Sequence, residues 1–351
     1  MKHAAVLGAS GYTGAEAVRL ILGHPKLELK AMTAYSRASE AYSDVFRNFA
    51  GQDLPPLTTV DEVDWSGIDV VFACLPHGAS QETIAKIYDK VETVIDLSAD
   101  FRLSDPELYA KTYGRPHEFK ELLDQRVYGL TEFARDQLPG AKLVACPGCY
   151  PTSAALALLP GLDAGLIHPK HIIIDAKSGV TGAGRKATLA FAFSETTDGA
   201  HAYAIGTHRH APEMDQAIRD FAKKDVNVRF TPHLLPMNRG MIATCHVNLK
   251  EGVSLSDVRQ TYQATYGHEA FIHILDEGQV PQTRHIRGSN HCQIGIFADR
   301  TENSAVIVSV IDNLTKGSSG QAIQNYNATQ GWDETIRTSA CWSLSLGFTE
   351  L

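Results

Sequence analysis

Several features are scarce or missing in this 351-residue sequence, and each absence narrows what the protein can be. No apolar run approaches the roughly 20 residues that cross a bilayer, so no membrane span is expected. Met1-Lys2-His3 leads straight into an apolar stretch without a charged-then-apolar leader, and a cytoplasmic location is the expectation. Positive charge is in deficit: the net charge is -8, so no global field draws in nucleic acid or an anionic membrane, and neither is expected as a partner. Cysteine is sparse, with six residues. In a chain this long they are expected to be reduced thiols, and Cys74, Cys245, Cys292 and Cys341 read as small buried hydrophobes. Cys146 and Cys149 form a C-x-x-C, open to a redox or half-zinc reading. No second pair accompanies it, so no metal is expected. Internal repeats and low-complexity segments are also missing.

What is present divides into two patterns. Up to about residue 150, short apolar strands alternate with helical spacing: strands at 3–9, 27–35, 69–75, 91–97 and 142–146, helices at 12–22 and 80–88. That alternation predicts a Rossmann-type α/β domain with a doubly wound parallel sheet. Beyond it, Pro151 to Leu159 reads as an apolar helix with proline in its first turn. Strands then dominate, at 171–176, 228–235, 241–249, 271–275, 292–298 and 305–311, with helices at 212–222 and 256–266. This predicts an α+β second domain around a largely antiparallel or mixed sheet. A late helix at 319–329 is expected to return to the first domain. The predicted division is 1–148 with 318–351, and 149–317.

The first strand runs into Gly8-Ala9-Ser10-Gly11-Tyr12-Thr13-Gly14, a G-x-x-G-x-x-G turn between a buried strand and a helix. In that setting the glycines admit a pyrophosphate, and the helix start offers free N–H groups. These residues are the expected dinucleotide site. An NAD site usually carries an acid at the end of the second strand. Here Tyr35-Ser36-Arg37 stands instead, and Ser36 with Arg37 would suit a 2′-phosphate, so NADP(H) is the expected cofactor.

Cys146-Pro147-Gly148-Cys149-Tyr150-Pro151-Thr152 carries the chemistry. Pro147-Gly148 forces a turn, and Cys149 then sits next to the start of the apolar helix, where the positive helix end favours thiolate, the nucleophilic form. His208-Arg209-His210 places two imidazoles before a helix, suited to proton transfer near neutral pH. Ser178 and Gly179 open a small-residue loop that lets a ligand approach closely, and Arg102 or Arg185 would meet a phosphate. Asn313, in the loop 312–320, would donate to a carboxamide.

Together these segments, with Leu75-Pro76-His77-Gly78, resemble the N-acetyl-γ-glutamyl-phosphate reductase family along essentially the whole chain. The resemblance implies an acyl-phosphate substrate and phosphate as small-molecule partners, Cys149 as nucleophile, and proton transfer by His210, with His208 as the alternative. It implies Pro76, His77, Ser178, Gly179 and Asn313 at the cofactor, and Arg102, Arg185 and Arg209 at the substrate. It also implies a homodimer or homotetramer. One departure is visible: the residue before Pro147 is often asparagine in that family, and here it is Cys146. Aspartate-β-semialdehyde dehydrogenase and a carrier-protein-linked lysine-pathway homologue are the alternatives of the same class, the latter with asparagine and alanine where this chain has Tyr150-Pro151. A non-catalytic NADP-binding sensor is the alternative of a different class.

Overall fold

A computed structural model describes residues 1–338. Cys341 and the last part of the 318–351 segment lie outside the described residues. The first sheet holds seven strands: β1 (Lys2–Leu7), β2 (Leu27–Thr33), β3 (Leu57–Thr58), β4 (Val70–Ala73), β5 (Thr93–Asp96), β6 (Val127–Tyr128) and β7 (Leu143–Ala145). Their order is β3-β2-β1-β4-β5-β7-β6, and the pairings are parallel. Both faces are covered. Ala4 and Val6 of β1 enter one core with α1 (Tyr12–Leu22), whereas Ala5 and Leu7 enter another with α2 (Ser80–Ile87). That period-2 division explains why these strands read as unbroken apolar runs.

The second sheet comprises β8 (Ile173–Gly179), β9 (His201–Ala202), β10 (Arg229–Leu235), β11 (Met241–Asn248), β12 (Ile272–Ile274), β13 (Cys292–Ala298) and β14 (Ser304–Ile311). Its order is β12-β13-β14-β11-β8-β10-β9, and it is mixed: β8 with β10 and β12 with β13 run parallel, the rest antiparallel. One face packs on α3 (Cys149–Asp163), α4 (His210–Ala222) and α5 (Leu255–Tyr266). The other face carries half-exposed residues such as Ile242 and Thr244, alternating with buried Met241, Ala243 and Cys245. Helix α3 is buried from Tyr150 to Leu162, because α4, α5 and the sheet enclose it. Its apolar run is therefore continuous and shows no amphipathic stripe.

The late helix α6 (Gly320–Thr329) packs on α1, and Ser319 Oγ donates to the Thr13 carbonyl at 2.8 Å. Short elements at β3 and β6, and helices at Pro106–Tyr113 and Lys120–Gln125, were not expected: the strands have two residues each, and each helix buries a single side chain, Tyr109 or Leu123, so neither carries an apolar stripe.

A buried ion pair joins the second sheet's exit to the first unit. Lys316 Nζ lies 2.6 Å from Glu132 Oε1 and 2.8 Å from Gln324 Oε1, with no exposure of its side chain. Removing one member strands the other charge in the core. Lys316→Met should therefore cost about 3–5 kcal/mol of stability, read as a lowered thermal midpoint.

Candidate active site

The dinucleotide turn lies where the strand order reverses, between β1 and β4. Gly8 has φ of +73°, and a Cβ there would overlap the Cys74 carbonyl oxygen. A Cβ at Gly14 would strike the Gly8 carbonyl, so this second glycine lets α1 pack close to its own strand. A cavity of about 1000 Å³ opens here, lined among others by Gly8, Ser10, Gly11, Ser36, Arg37 and Pro76. Tyr12, Thr13 and Gly14 do not line it; they form the first turn of α1. Arg37 Nη1 pairs with Glu40 Oε2 at 3.0 Å while still facing the cavity. Lys86, Arg185 and Lys186 add further cations. The glycine cradle and this cationic lining fit a phosphate-bearing dinucleotide.

Arg185 is a correction to the sequence reading. It was expected at the substrate, but it reaches across to the glycine turn, donating to the carbonyls of Ser10 (3.1 Å) and Val45 (3.0 Å) over the Phe46 ring.

A second cavity, of about 580 Å³, contains Cys149, His208, His210, Arg102 and Arg209. Leu75 lines both cavities, so they meet at the end of β4. His77, Ser178 and Gly179, expected at the cofactor, line this second cavity instead. His77 faces Arg209, with Nε2 to Nη1 at 2.7 Å. Asn313 lines neither cavity: its Oδ1 accepts the Gly240 N–H (2.9 Å) and its Nδ2 donates to Thr181 Oγ1 (3.0 Å). The amide ties its loop to Gly240 and Thr181, away from either cavity.

Cys149 is the first residue of α3, and two glycines make room around it. A Cβ on Gly148 would come within 2.6 Å of His210 Nε2 and 2.8 Å of Arg102 Nη1. A Cβ on Gly317 would come within 2.8 Å of the Cys149 Cβ. Arg102 is buried and mostly engaged, donating through Nε to Cys146 O (2.8 Å) and through Nη2 to Leu97 O (2.8 Å). Its remaining arm, Nη1, lies 3.5 Å from both His210 Nε2 and Glu213 Oε2.

Glu213 is the residue that sequence reasoning missed. Fully buried, it accepts the Gly148 N–H at 2.8 Å and the Tyr128 hydroxyl at 3.0 Å on Oε1. The signal was present: Glu213 follows His210 by one helical turn, so both face the same way. Tyr150 and Tyr203 were likewise not expected at the site, and both line the cavity. The other cysteine of the motif takes no part. Cys146 is buried in the first unit's core, its sulfur 3.6 Å from the Asn325 amide, and burial pushes its thiol up to about 12.

Burial works against the thiolate expected from the helix end. Burial raises the Cys149 thiol to about 11; the Arg102 charge and the backbone N–H groups of Tyr150 and Cys149 oppose that rise without cancelling it. Burial and neighbouring cations hold His210 well below its ordinary value and bring His208 down to about 4. The pair at rest is therefore a neutral thiol and a neutral imidazole. Cys149 is half-buried at the cavity wall, and the desolvation imposed by the surrounding protein outweighs the short-range contribution of the helix end. His208 Nδ1 accepts the His210 N–H at 3.1 Å, which leaves the His208 proton on Nε2.

A nucleotide cradle meeting a thiol-bearing cavity defines an oxidoreductase of the semialdehyde dehydrogenase class. Residues 3–141 match the family described as semialdehyde dehydrogenase, NAD binding domain, and residues 149–313 match semialdehyde dehydrogenase, dimerisation domain. The fold is similar to aspartate semialdehyde dehydrogenase II from Vibrio cholerae (TM-score 0.69, 18% identity, covering 93% of this chain and 98% of that one). It is equally similar to aspartate semialdehyde dehydrogenase with NADP from Candida albicans (TM-score 0.69, 18% identity, 96% and 99%). In sequence, the chain is 49% identical to N-acetyl-gamma-glutamyl-phosphate reductase of Rhodospirillum rubrum over 95% of this chain and 96% of that protein. It is 49% identical to the probable chloroplastic enzyme of that name from Arabidopsis thaliana, over 94% and 82%. The chain belongs to the semialdehyde dehydrogenase family, on the branch of the N-acetyl-γ-glutamyl-phosphate reductases. Among the described residues, no helix is long and apolar enough to cross a membrane.

A neutral resting thiol has a kinetic signature. The rate of Cys149 alkylation by iodoacetamide in the free enzyme should climb steadily from pH 7 to pH 10, towards the thiol's value of about 11. A plateau already reached near neutrality would reveal a preformed thiolate.

Proposed function

We propose that this chain is the NADPH-dependent enzyme that converts N-acetyl-L-glutamyl 5-phosphate to N-acetyl-L-glutamate 5-semialdehyde and phosphate in arginine biosynthesis. In this reading Cys149 forms a thioester, and the enzyme works as a homodimer or homotetramer in the cytoplasm. The observation that carries the reading is the meeting of the two cavities at Leu75, which puts Cys149, His210, Arg102 and Arg209 beside the dinucleotide cleft. The match to a dimerisation domain and the half-exposed sheet face support the oligomer. In this reading the first unit supplies the glycine cradle for the cofactor and residues 149–317 supply the nucleophile and the histidines, with Arg185 and Lys186 crossing to the cofactor cavity and Arg102 and His77 to the acyl cavity.

Gly8, Ser10 and Gly11 would hold the cofactor's pyrophosphate, and Ser36 with Arg37 its 2′-phosphate. When bound, NADPH supplies the hydride that reduces the thioester. The chain's own residues do the rest. As the Cys149 sulfur attacks the acyl carbon, His210 Nε2 takes its proton. The tetrahedral adduct expels phosphate and leaves the thioester. Arg102 and Arg209 counter the substrate's negative charge, which in turn relieves the cationic field on His210 and makes proton uptake easier. After reduction, the hemithioacetal collapses, the sulfur regains its electron pair, and His210 returns the proton. Gly148, held by Glu213, keeps the sulfur at the cavity during this cycle.

The acyl cavity also argues against the aspartate rival. Among the described residues, no carboxylate lines it, so nothing there matches a free α-ammonium. The sensor alternative has no use for a thiol, an imidazole and a cation in one cavity.

The enzyme should reduce NADP+ when given N-acetylglutamate semialdehyde and phosphate. Cys149→Ser should lower that rate by roughly 10,000-fold while leaving NADPH binding intact; near-normal turnover would sink the thioester mechanism. Arg37→Ala should shrink the preference for NADP+ over NAD+ by about tenfold in kcat/KM, since a charge-assisted contact to the extra phosphate is lost.

A further inference from the structure

The cavity around Cys149 presents two cationic side chains, Arg102 and Arg209, and no carboxylate among the described residues of its lining. Glu213, behind it, is engaged by Gly148, Tyr128 and Arg102. A substrate with a free ammonium would lose its hydration there and find no counter-ion.

One wall of the cavity is aromatic. Tyr150, Tyr203 and His208 line it, and Phe230 packs behind. Ring centroids are 5.5 Å apart for Tyr150 and His208, 5.5 Å for Tyr203 and His208, and 5.3 Å for His208 and Phe230. The polar atoms on this wall are few and directed. His208 is a neutral imidazole whose Nδ1 is occupied by the His210 N–H, so its Nε2 is a donor. The hydroxyl oxygens of Tyr150 and Tyr203 lie 3.1 Å apart, and one must donate to the other. The Ser178 hydroxyl is turned to the Gly179 carbonyl at 3.1 Å. An N–H donor and hydroxyl lone pairs on an apolar surface complement a secondary amide carrying a methyl group. They do not complement an ammonium. The wall also begins at the right place: Tyr150 follows the nucleophile in the chain, and the substrate's amide nitrogen is only four bonds from its reacting carbon.

We propose that Tyr150, Tyr203 and His208 form the acetamido subsite, with Tyr203 the residue that selects an N-acylated substrate. The inference rests on the functional reading above and gives His208 a recognition role, leaving proton transfer to His210.

The test is steady-state kinetics in the oxidative direction, with phosphate and NADP+. Two aldehydes are compared: N-acetylglutamate semialdehyde, and glutarate semialdehyde, which lacks the acetamido group. Tyr203→Phe removes one hydroxyl and keeps the ring. It should raise KM for the acetylated aldehyde about tenfold, the effect of one lost hydrogen bond, and leave kcat within about twofold. For glutarate semialdehyde, kcat/KM should stay within about twofold of wild type. His208→Asn, which keeps an acceptor for the His210 N–H and removes the Nε2 donor, should give the same selective loss, and it serves if Tyr203→Phe fails to fold, as judged by thermal stabilisation with NADP+. Equal losses on both aldehydes, or no loss on either, overturn the subsite while wild-type turnover leaves the functional reading standing. Wild-type enzyme without activity on the acetylated aldehyde overturns the functional reading, and the subsite with it.

Discussion

The buried carboxylate of Glu213 is the contact on which the rest of the acyl site depends. It takes the Gly148 N–H and the Tyr128 hydroxyl, and it faces the one free arm of Arg102. Those partners come from three different places: the turn before α3, strand β6, and the loop after β5. A carboxylate with no exposure is tolerable only when charge and hydrogen bonds compensate it. The same contacts that satisfy Glu213 therefore fix the nucleophile's turn against the guanidinium and, through α4, against His210. Packing two units around one buried acid turns a flexible Pro-Gly turn into a defined site.

That packing sets the chemistry as well as the geometry. Enclosure raises the thiol and lowers both imidazoles, so the free enzyme holds its nucleophile protonated. An exposed thiolate would be open to oxidation and alkylation; a neutral thiol is less so. The arriving substrate brings the negative charge that the cationic cavity lacks. Arg102, whose charge lowers the Cys149 thiol, stands at the same cavity as the sulfur.

Much of the fold was legible because its signals are local. Helix α1 follows the predicted 12–22 span, and β13 the predicted 292–298, since apolar spacing and flanking turn residues mark both. The Gly8 turn was legible for the same reason: a positive φ at that residue and close packing at Gly14 both demand glycine. Cys149 was legible as the neighbour of a helix start; the helix begins two residues earlier than its apolar spacing marks, at Cys149 itself. The element ends shifted by a few residues, and β3 and β6, with two residues each, carried no period to read.

The sequence alone determined the two-part architecture, the dinucleotide turn, the placing of a cysteine beside a helix start and the His-Arg-His-Ala-Pro-Glu run, because each is written in neighbouring residues. Only the tertiary structure decided which loop serves which cavity. It moved Arg185 to the dinucleotide cleft, brought His77, Ser178 and Gly179 to the acyl cavity, and used the Asn313 amide to tie its loop to Gly240 and Thr181. It also supplied the burial that raises the Cys149 thiol. The physical reason is common to all of these: contacts and desolvation depend on residues brought together from distant parts of the chain, and nothing in the local spacing records them.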